Sequence, residues 1–159
     1  MKLVFVRHAI AVEKHPDGDG ARELTAEGRK KALEVCRAVA GMDLGIERIL
    51  TSPLQRSVQT AQILREVLKL PKAPEETKAL LPEAEPQALT AILKSAKAEC
   101  IALVGHEPHI SRYTAWTVGG GKFDVRKCGV VVLEGAGVPG AGQGALAGLF
   151  APRHLRPLV

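Results

Sequence analysis

Two arginines and two histidines lie at the ends of largely apolar segments, where they could bind and attack a phosphoryl group. They are Arg7, His8, Arg56 and His106. Arginine matches phosphate oxygens with paired hydrogen bonds, and a neutral imidazole is a competent nucleophile near pH 7. Both groups are costly to bury without a partner. Their position beside core segments therefore indicates a chemical role rather than a packing role.

The segments that precede these residues predict three parallel strands. They are KLVFV (2–6), ERILTSP (47–53) and CIALVG (100–105). Short apolar runs of this kind are typical of strands covered on both faces. Because the carboxyl ends of parallel strands meet at one edge, where α/β folds bind ligands, the four side chains should converge there. With few acids in the same junctions, their mutual repulsion calls for an anion, and a phosphoryl group fits.

The intervening segments have helical periodicity. Thr25 is a favourable N-cap, and Pro86 suits a first helical turn. Apolar residues recur at three- and four-residue spacing in four segments, which are 25–41, 54–68, 86–97 and 108–118. Alternating strands and helices predict an α/β fold.

Three more strands complete the predicted sheet. A short strand is expected near 77–81, and two others over 129–134 and 145–150. The Gly-rich segment GAGVPG (135–140) joins the last two; it contains a proline and no βαβ unit can follow it, so it predicts a hairpin rather than a dinucleotide site. We therefore predict a three-layer α/β/α sandwich with a mostly parallel sheet and an antiparallel edge strand, as one domain over 1–159.

Composition narrows the function classes. The chain has 159 residues, a net charge of +5 and only 3% aromatic residues. An evenly spread positive charge with few aromatics disfavours a nucleic-acid partner. The first apolar run is too short for a signal peptide, and no segment suits a membrane span. Three widely spaced cysteines form no zinc or disulfide pattern, so a cytoplasmic protein is expected.

Several motifs resemble a known family. RHA after the first strand, SPLQRSVQTA (52–61) and VGHEP (104–108) resemble the histidine phosphatase superfamily, which has the phosphoglycerate-mutase-like fold. RHAIAVE, RELTAEGRKKA (22–32) and PRHLRP (152–157) are more narrowly similar to SixA-type phosphohistidine phosphatases. The resemblance covers essentially the whole chain. It implies a metal-independent phosphatase without cofactors that acts on phosphohistidine in a signal-transduction partner protein.

The resemblance also implies roles for individual residues. His8 is the implied phosphoacceptor, and Arg7, Arg56 and His106 form the implied phosphate pocket. Ser52 resembles an accessory pocket residue. Arg22, in the motif written here as RELT, is expected to reach the phosphate or the substrate from the loop.

Two alternatives remain open at this point. Larger relatives use an acidic residue to protonate a leaving alkoxide, and Glu83 in LLPEAEP (80–86) is the candidate here, with Glu13, Asp17 and Asp19 as weaker candidates. A true acid at Glu83 would favour a small phosphomonoester as substrate, whereas an exposed loop carboxylate would not. The other alternative is a non-catalytic phosphate-binding domain.

Overall fold

Six strands form one mixed sheet in this computed structural model, which describes residues 1–155. In chain order they are β1 (Lys2–Arg7), β2 (Arg48–Thr51), β3 (Glu75–Glu76), β4 (Cys100–Gly105), β5 (Val130–Glu134) and β6 (Ala145–Phe150). Their order across the sheet is β3-β2-β4-β1-β5-β6. The pairs from β3 to β1 are parallel, whereas β5 is antiparallel to both β1 and β6. The mostly parallel sheet with an antiparallel edge is confirmed.

Helices cover both faces of this sheet. They are α1 (Ala26–Gly41), α2 (Gln55–Leu68), α3 (Pro86–Ser95), α4 (His109–Val118) and the short α5 (Pro152–Leu155). Residues of α1 and α2 pack with one face of the strands in one apolar cluster, and residues of α3 and α4 pack with the other face in a second cluster. The predicted three-layer arrangement is therefore confirmed. None of the helices in residues 1–155 has the length and hydropathy that crossing a bilayer requires.

The central strands are fixed by burial on both faces. Val4 and Val6 belong to one cluster, and Leu3 and Phe5 to the other. Full burial of such a side chain contributes about 1.5–3 kcal/mol relative to exposure. β1 also pairs with a strand on each side. The end of β1, where Arg7 and His8 lie, is therefore a rigid point.

The short strand expected near 77–81 lies slightly earlier in the chain, at Glu75–Glu76. The strand β3 ends at Glu76, and residues Lys78–Leu80 form a 3-10 turn. The Thr77 hydroxyl accepts a hydrogen bond from the Ala79 N–H, and Leu80 is fully buried. A side-chain cap thus turns the chain inward where the sequence pattern favoured extension.

Two helix starts were placed correctly from the sequence. Thr25 caps α1 by accepting the Gly28 N–H at 2.9 Å, and Pro86 is the first residue of α3. The motif PRHLRP begins in α5, and its last two residues lie outside the described part of the chain.

Candidate active site

His8 lies immediately after β1 and is 7% exposed. Its Nδ1 is 2.7 Å from the carbonyl oxygen of Ala9. A carbonyl oxygen can only accept a hydrogen bond, so Nδ1 carries the ring proton and Nε2 keeps its lone pair. Burial lowers the pKa of His8 to about 4, with added repulsion from Arg56 and Arg7. The ring is therefore neutral at pH 7, with Nε2 as a nucleophilic atom.

His106 follows β4 and faces His8. The two ring centroids are 4.9 Å apart. Burial, with added repulsion from His8 and Arg56, lowers the pKa of His106 to about 3. The Nε2 atom lies 2.8 Å from the Ser52 hydroxyl and 3.1 Å from the Ser57 hydroxyl. When a hydroxyl donates to Nε2 of this neutral ring, the proton sits on Nδ1, which has no partner within residues 1–155.

Arg56 is held in the first turn of α2 and is 5% exposed. Its guanidinium donates to the Asp19 carbonyl oxygen at 3.0 Å and to Asp19 Oδ2 at 3.2 Å. Arg22 donates to Asp19 Oδ1 at 2.8 Å and to the Val12 carbonyl oxygen at 2.6 Å. The two arginines predicted to meet a phosphate therefore meet on the carboxylate of Asp19, an anion from the chain itself.

Arg7 ends β1 and is half-buried. It donates to the Val125 carbonyl oxygen at 2.7 Å, and its Nε has no partner within residues 1–155. Burial lowers the pKa of Arg7, which nevertheless stays charged at neutral pH. Its positive charge acts on both His8 and His106. The structure thus brings together the two arginines, the two histidines and Ser52, which the sequence placed at three separate strand ends.

The amino-terminal half of the chain matches a known family. Residues 3–85 match the sequence model of the histidine phosphatase superfamily (branch 1). An uncharacterised protein from Picosynechococcus sp. is 33% identical over 141 residues, which cover 84% of this chain and 85% of the relative. The chain belongs to the histidine phosphatase superfamily.

Several solved structures share the fold of this chain. The protein histidine phosphatase SixA, in complex with tungstate, superposes with a TM-score of 0.87 at 22% identity, over 98% of this chain and 99% of SixA. A phosphoserine phosphatase mutant from Entamoeba histolytica, in complex with phosphoserine, gives 0.71 at 16% identity, over 97% and 98% of the two chains. The phosphoglycerate-mutase-like fold predicted from the sequence is confirmed.

The candidate general acids have different surroundings in the structure. Glu83 is exposed on the loop after the 3-10 turn, and Arg112 of α4 holds that loop by donating to the carbonyl oxygens of Pro82 and Ala84 at 3.3 and 2.7 Å. Asp19 is paired with two arginines, and its hydrogen bond to Arg22 lowers its pKa, so it is an anion rather than an acid. The weaker candidates, Glu13 and Asp17, are exposed.

Sequence reasoning missed two residues beside the site. Ser57 directly follows Arg56 and is hydrogen-bonded to His106. Glu107 directly follows His106; its carboxyl accepts from the Ser111 hydroxyl at 2.6 Å, and burial raises its pKa. Both residues could have been found from the sequence, since they lie inside the motifs SPLQRSVQTA and VGHEP that carried the family resemblance. The expectation of few acids at these junctions is therefore wrong, because Asp19 and Glu107 are both there.

No metal cluster or reactive thiol accompanies the site. Within residues 1–155, no group of three or more His, Cys, Asp or Glu is arranged to hold a metal ion. Burial raises the pKa of Cys100 to about 11 and that of Cys128 to about 12. Cysteines that stay protonated at neutral pH are poor nucleophiles, so neither of these two thiols competes with His8.

Proposed function

We propose that this protein is a phosphatase that removes the phosphoryl group from phosphohistidine in a partner protein, through a phosphoenzyme on His8. The observation that carries the proposal is the bond from His8 Nδ1–H to the Ala9 carbonyl oxygen. It holds the proton on Nδ1, so the ring, which burial keeps neutral, has a free Nε2 beside two arginines. Family membership and the SixA-like fold support the same reaction.

The reaction has two displacement steps. His8 Nε2 attacks phosphorus in line and forms an N–P bond, while the bond from phosphorus to the substrate nitrogen breaks and that nitrogen takes up a proton. Water then attacks the same phosphorus, the His8 N–P bond breaks, and inorganic phosphate leaves. Covalent catalysis of this kind divides one difficult step into two easier ones. His8 returns to its starting tautomer.

The surrounding residues stabilise the transferred group. Arg7 and Arg56 neutralise the charge on its oxygens, and Arg56 does so after exchanging Asp19 for phosphate. His106 donates a hydrogen bond from Nδ1 to an oxygen of the phosphoryl group, while the Ser52 hydroxyl orients the ring by its contact with Nε2. Arg22, released from Asp19, reaches the phosphate or the substrate. These side chains supply the positive charge themselves, so we propose that no metal or cofactor takes part, with residues 1–159 acting as one domain.

The nature of the leaving group favours phosphohistidine. A leaving imidazole nitrogen can be protonated by solvent, whereas an alkoxide needs a positioned acid. No hydrogen bond joins Glu83 to His8, Arg7, Arg56 or His106 in the described part of the chain. A substrate whose leaving group needs no general acid is therefore the better match to this site.

A phosphohistidine-bearing phosphotransfer domain, labelled on phosphorus, tests the proposal. We expect the wild-type protein to release the label as phosphate and His8→Ala to lose at least about 1,000-fold in rate, because the nucleophile is gone. A quench that avoids acid should trap label on the wild-type protein. Equal loss of label with both proteins would contradict the enzyme function and favour a phosphate-binding domain.

A second candidate is the hydrolysis of a small phosphomonoester with Glu83 as general acid. The observation in its favour is that Arg112 fixes the loop on both sides of Glu83, as expected if the position of the carboxyl matters. Glu83→Gln should then slow p-nitrophenyl phosphate hydrolysis much less than that of an alkyl phosphate, whose leaving group needs a proton. An unchanged rate on the alkyl ester would remove this candidate.

A further inference from the structure

A cationic groove adjoins the candidate active site. Its volume is about 380 Å³. Among residues 1–155, those that line it are Arg7, Ile10, Lys31, Arg126, Lys127, Cys128 and Pro152. Four of these seven side chains are basic, and none is acidic. Such a lining favours a ligand with several negative charges.

The groove is joined to the phosphate pocket through Arg7, which belongs to both. The segment that carries Arg126 and Lys127 is hydrogen-bonded at both of its ends to Arg7, the last residue of β1. Arg7 donates to the Val125 carbonyl oxygen at 2.7 Å, and the Cys128 N–H donates to the Arg7 carbonyl oxygen at 3.1 Å. Lys127 lies close enough to His8 to help lower its pKa. A ligand whose phosphoryl group is at His8 therefore has this groove directly beside it.

The positive charge of the groove is only partly compensated by the chain. Lys31 pairs with Glu27 at 2.7 Å, and Arg126 pairs with Asp124 at 3.0 Å. Arg126 and Asp124 are both mostly exposed, with 72% and 66% of their side-chain surface accessible. Exposed pairs of this kind are weak, so their cations can exchange partners readily. A substrate carboxylate could therefore replace Glu27 or Asp124 at little cost.

We propose that this groove binds an acidic segment of the protein substrate, next to the phosphorylated residue. The inference rests on the proposed function, because it assigns the chain around the phosphohistidine to a surface beside His8. Apart from Arg7, the groove residues lie outside the pocket that neutralises the phosphoryl group, so they contact the residues around the phosphorylated one. Complementary charge of this kind speeds association and selects among partners.

Two phosphohistidine peptides of equal length test the proposal. One has Asp and Glu beside the phosphorylated residue, and the other has Asn and Gln there. The double variant Lys31→Gln/Arg126→Gln should raise KM for the acidic peptide by about 3- to 10-fold, as expected for two exposed ion pairs. Its KM for the neutral peptide and its rate on p-nitrophenyl phosphate should stay unchanged. The acidic peptide should also lose its advantage at high salt.

A control variant removes the same charge elsewhere. Lys30→Gln/Lys97→Gln changes two exposed lysines that do not line the groove, and it should leave both KM values unchanged. An equal effect of the two double variants on the acidic peptide would show a general charge effect and overturn the proposal. So would an equal effect of the groove variant on both peptides.

Binding measured without turnover separates this inference from the proposed function. His8→Ala protein should bind the unphosphorylated acidic peptide more tightly than the neutral one in fluorescence anisotropy, and the groove substitutions should abolish that difference. Preferential binding without hydrolysis of either phosphopeptide by the wild-type protein would contradict the proposed function alone. Equal binding of the two peptides, with both phosphopeptides hydrolysed, would contradict the groove alone.

Discussion

At His8, the bond to the next residue's carbonyl group decides which ring nitrogen can react. The Ala9 carbonyl oxygen holds the proton on Nδ1, and burial beside two arginines keeps the ring neutral. Thr60 fixes Ala9 in turn, since its hydroxyl accepts the Ala9 N–H at 3.1 Å and donates to the Arg56 carbonyl oxygen at 2.8 Å. The orientation of the nucleophile and that of Arg56 are therefore linked through one threonine.

Asp19 is expected to compete with phosphate for Arg56. Its carboxylate is paired with Arg56 and Arg22, the two arginines that we propose exchange it for substrate. Asp19→Asn removes that negative charge, so the inhibition constant of inorganic phosphate should fall by about 1.5- to 5-fold, the range of an ion pair whose carboxylate is exposed to solvent. Inhibition of p-nitrophenyl phosphate hydrolysis by phosphate measures this constant.

Asp17→Asn is the matched control for this change. Asp17 is exposed two residues away, and its carboxylate lies 3.8 Å from His15 Nδ1 rather than beside an arginine, so the inhibition constant should not move. Weaker inhibition in Asp19→Asn would mean that Asp19 orders Arg56 for phosphate instead of competing with it.

At the scale of secondary-structure elements, the start of α1 packs closely against the loop that follows His8. A β-carbon built on Gly28, in the first turn of α1, would lie 2.0 Å from the Ile10 carbonyl oxygen. That oxygen also accepts the Thr25 N–H at 3.0 Å. The absence of a side chain at Gly28 therefore allows the helix start to approach the backbone two residues beyond the nucleophile.

Gly28→Ala should disturb both stability and activity. The added methyl group meets backbone, which cannot rotate away, so unfolding by urea should show a loss of about 1–3 kcal/mol. The rate of p-nitrophenyl phosphate hydrolysis should fall as well, because the loop after His8 must shift. Gly41→Ala, at the other end of α1 with nothing within 4 Å of the added carbon, should change stability by less than about 0.5 kcal/mol. Equal behaviour of the two variants would contradict this packing argument.

In the molecule as a whole, three neutral buried histidines make stability depend on pH. The pKa values of His8 and His109 are lowered to about 4, and that of His106 to about 3, chiefly by burial. An unfolded chain binds these protons near pH 6.5. The stabilisation is therefore complete above about pH 6.5 and decreases as the pH falls toward the folded values, because the unfolded state then binds more protons.

His109 provides the cleanest test of this dependence, because it lies outside the candidate site. It is fully buried in α4, and neither ring nitrogen has a hydrogen-bond partner within residues 1–155. His109→Leu should reduce the slope of unfolding free energy against pH by about 1.4 kcal/mol per pH unit below pH 6.5. Urea unfolding followed by circular dichroism from about pH 6 to about pH 4.5 measures the slope. The same slope in both proteins would contradict a neutral buried His109.

The sequence by itself determined the family, the fold class and the set of strand-end residues. The physical reason is that all three depend on the order of residue types within short segments of the chain. A buried strand needs an apolar run, and the residues that follow it must lie at the edge of the sheet, so Arg7, His8, Ser52 and His106 could be placed before any coordinates were known.

Only the tertiary structure decided how these residues act on one another. Asp19 lies 37 residues from Arg56 and Val125 lies 118 residues from Arg7, so no local pattern predicts those contacts. The carboxylate shared by two arginines and the cationic groove both follow from such long-range packing. Burial, which sets the low pKa values of the histidines, is likewise a property of the assembled layers rather than of any segment.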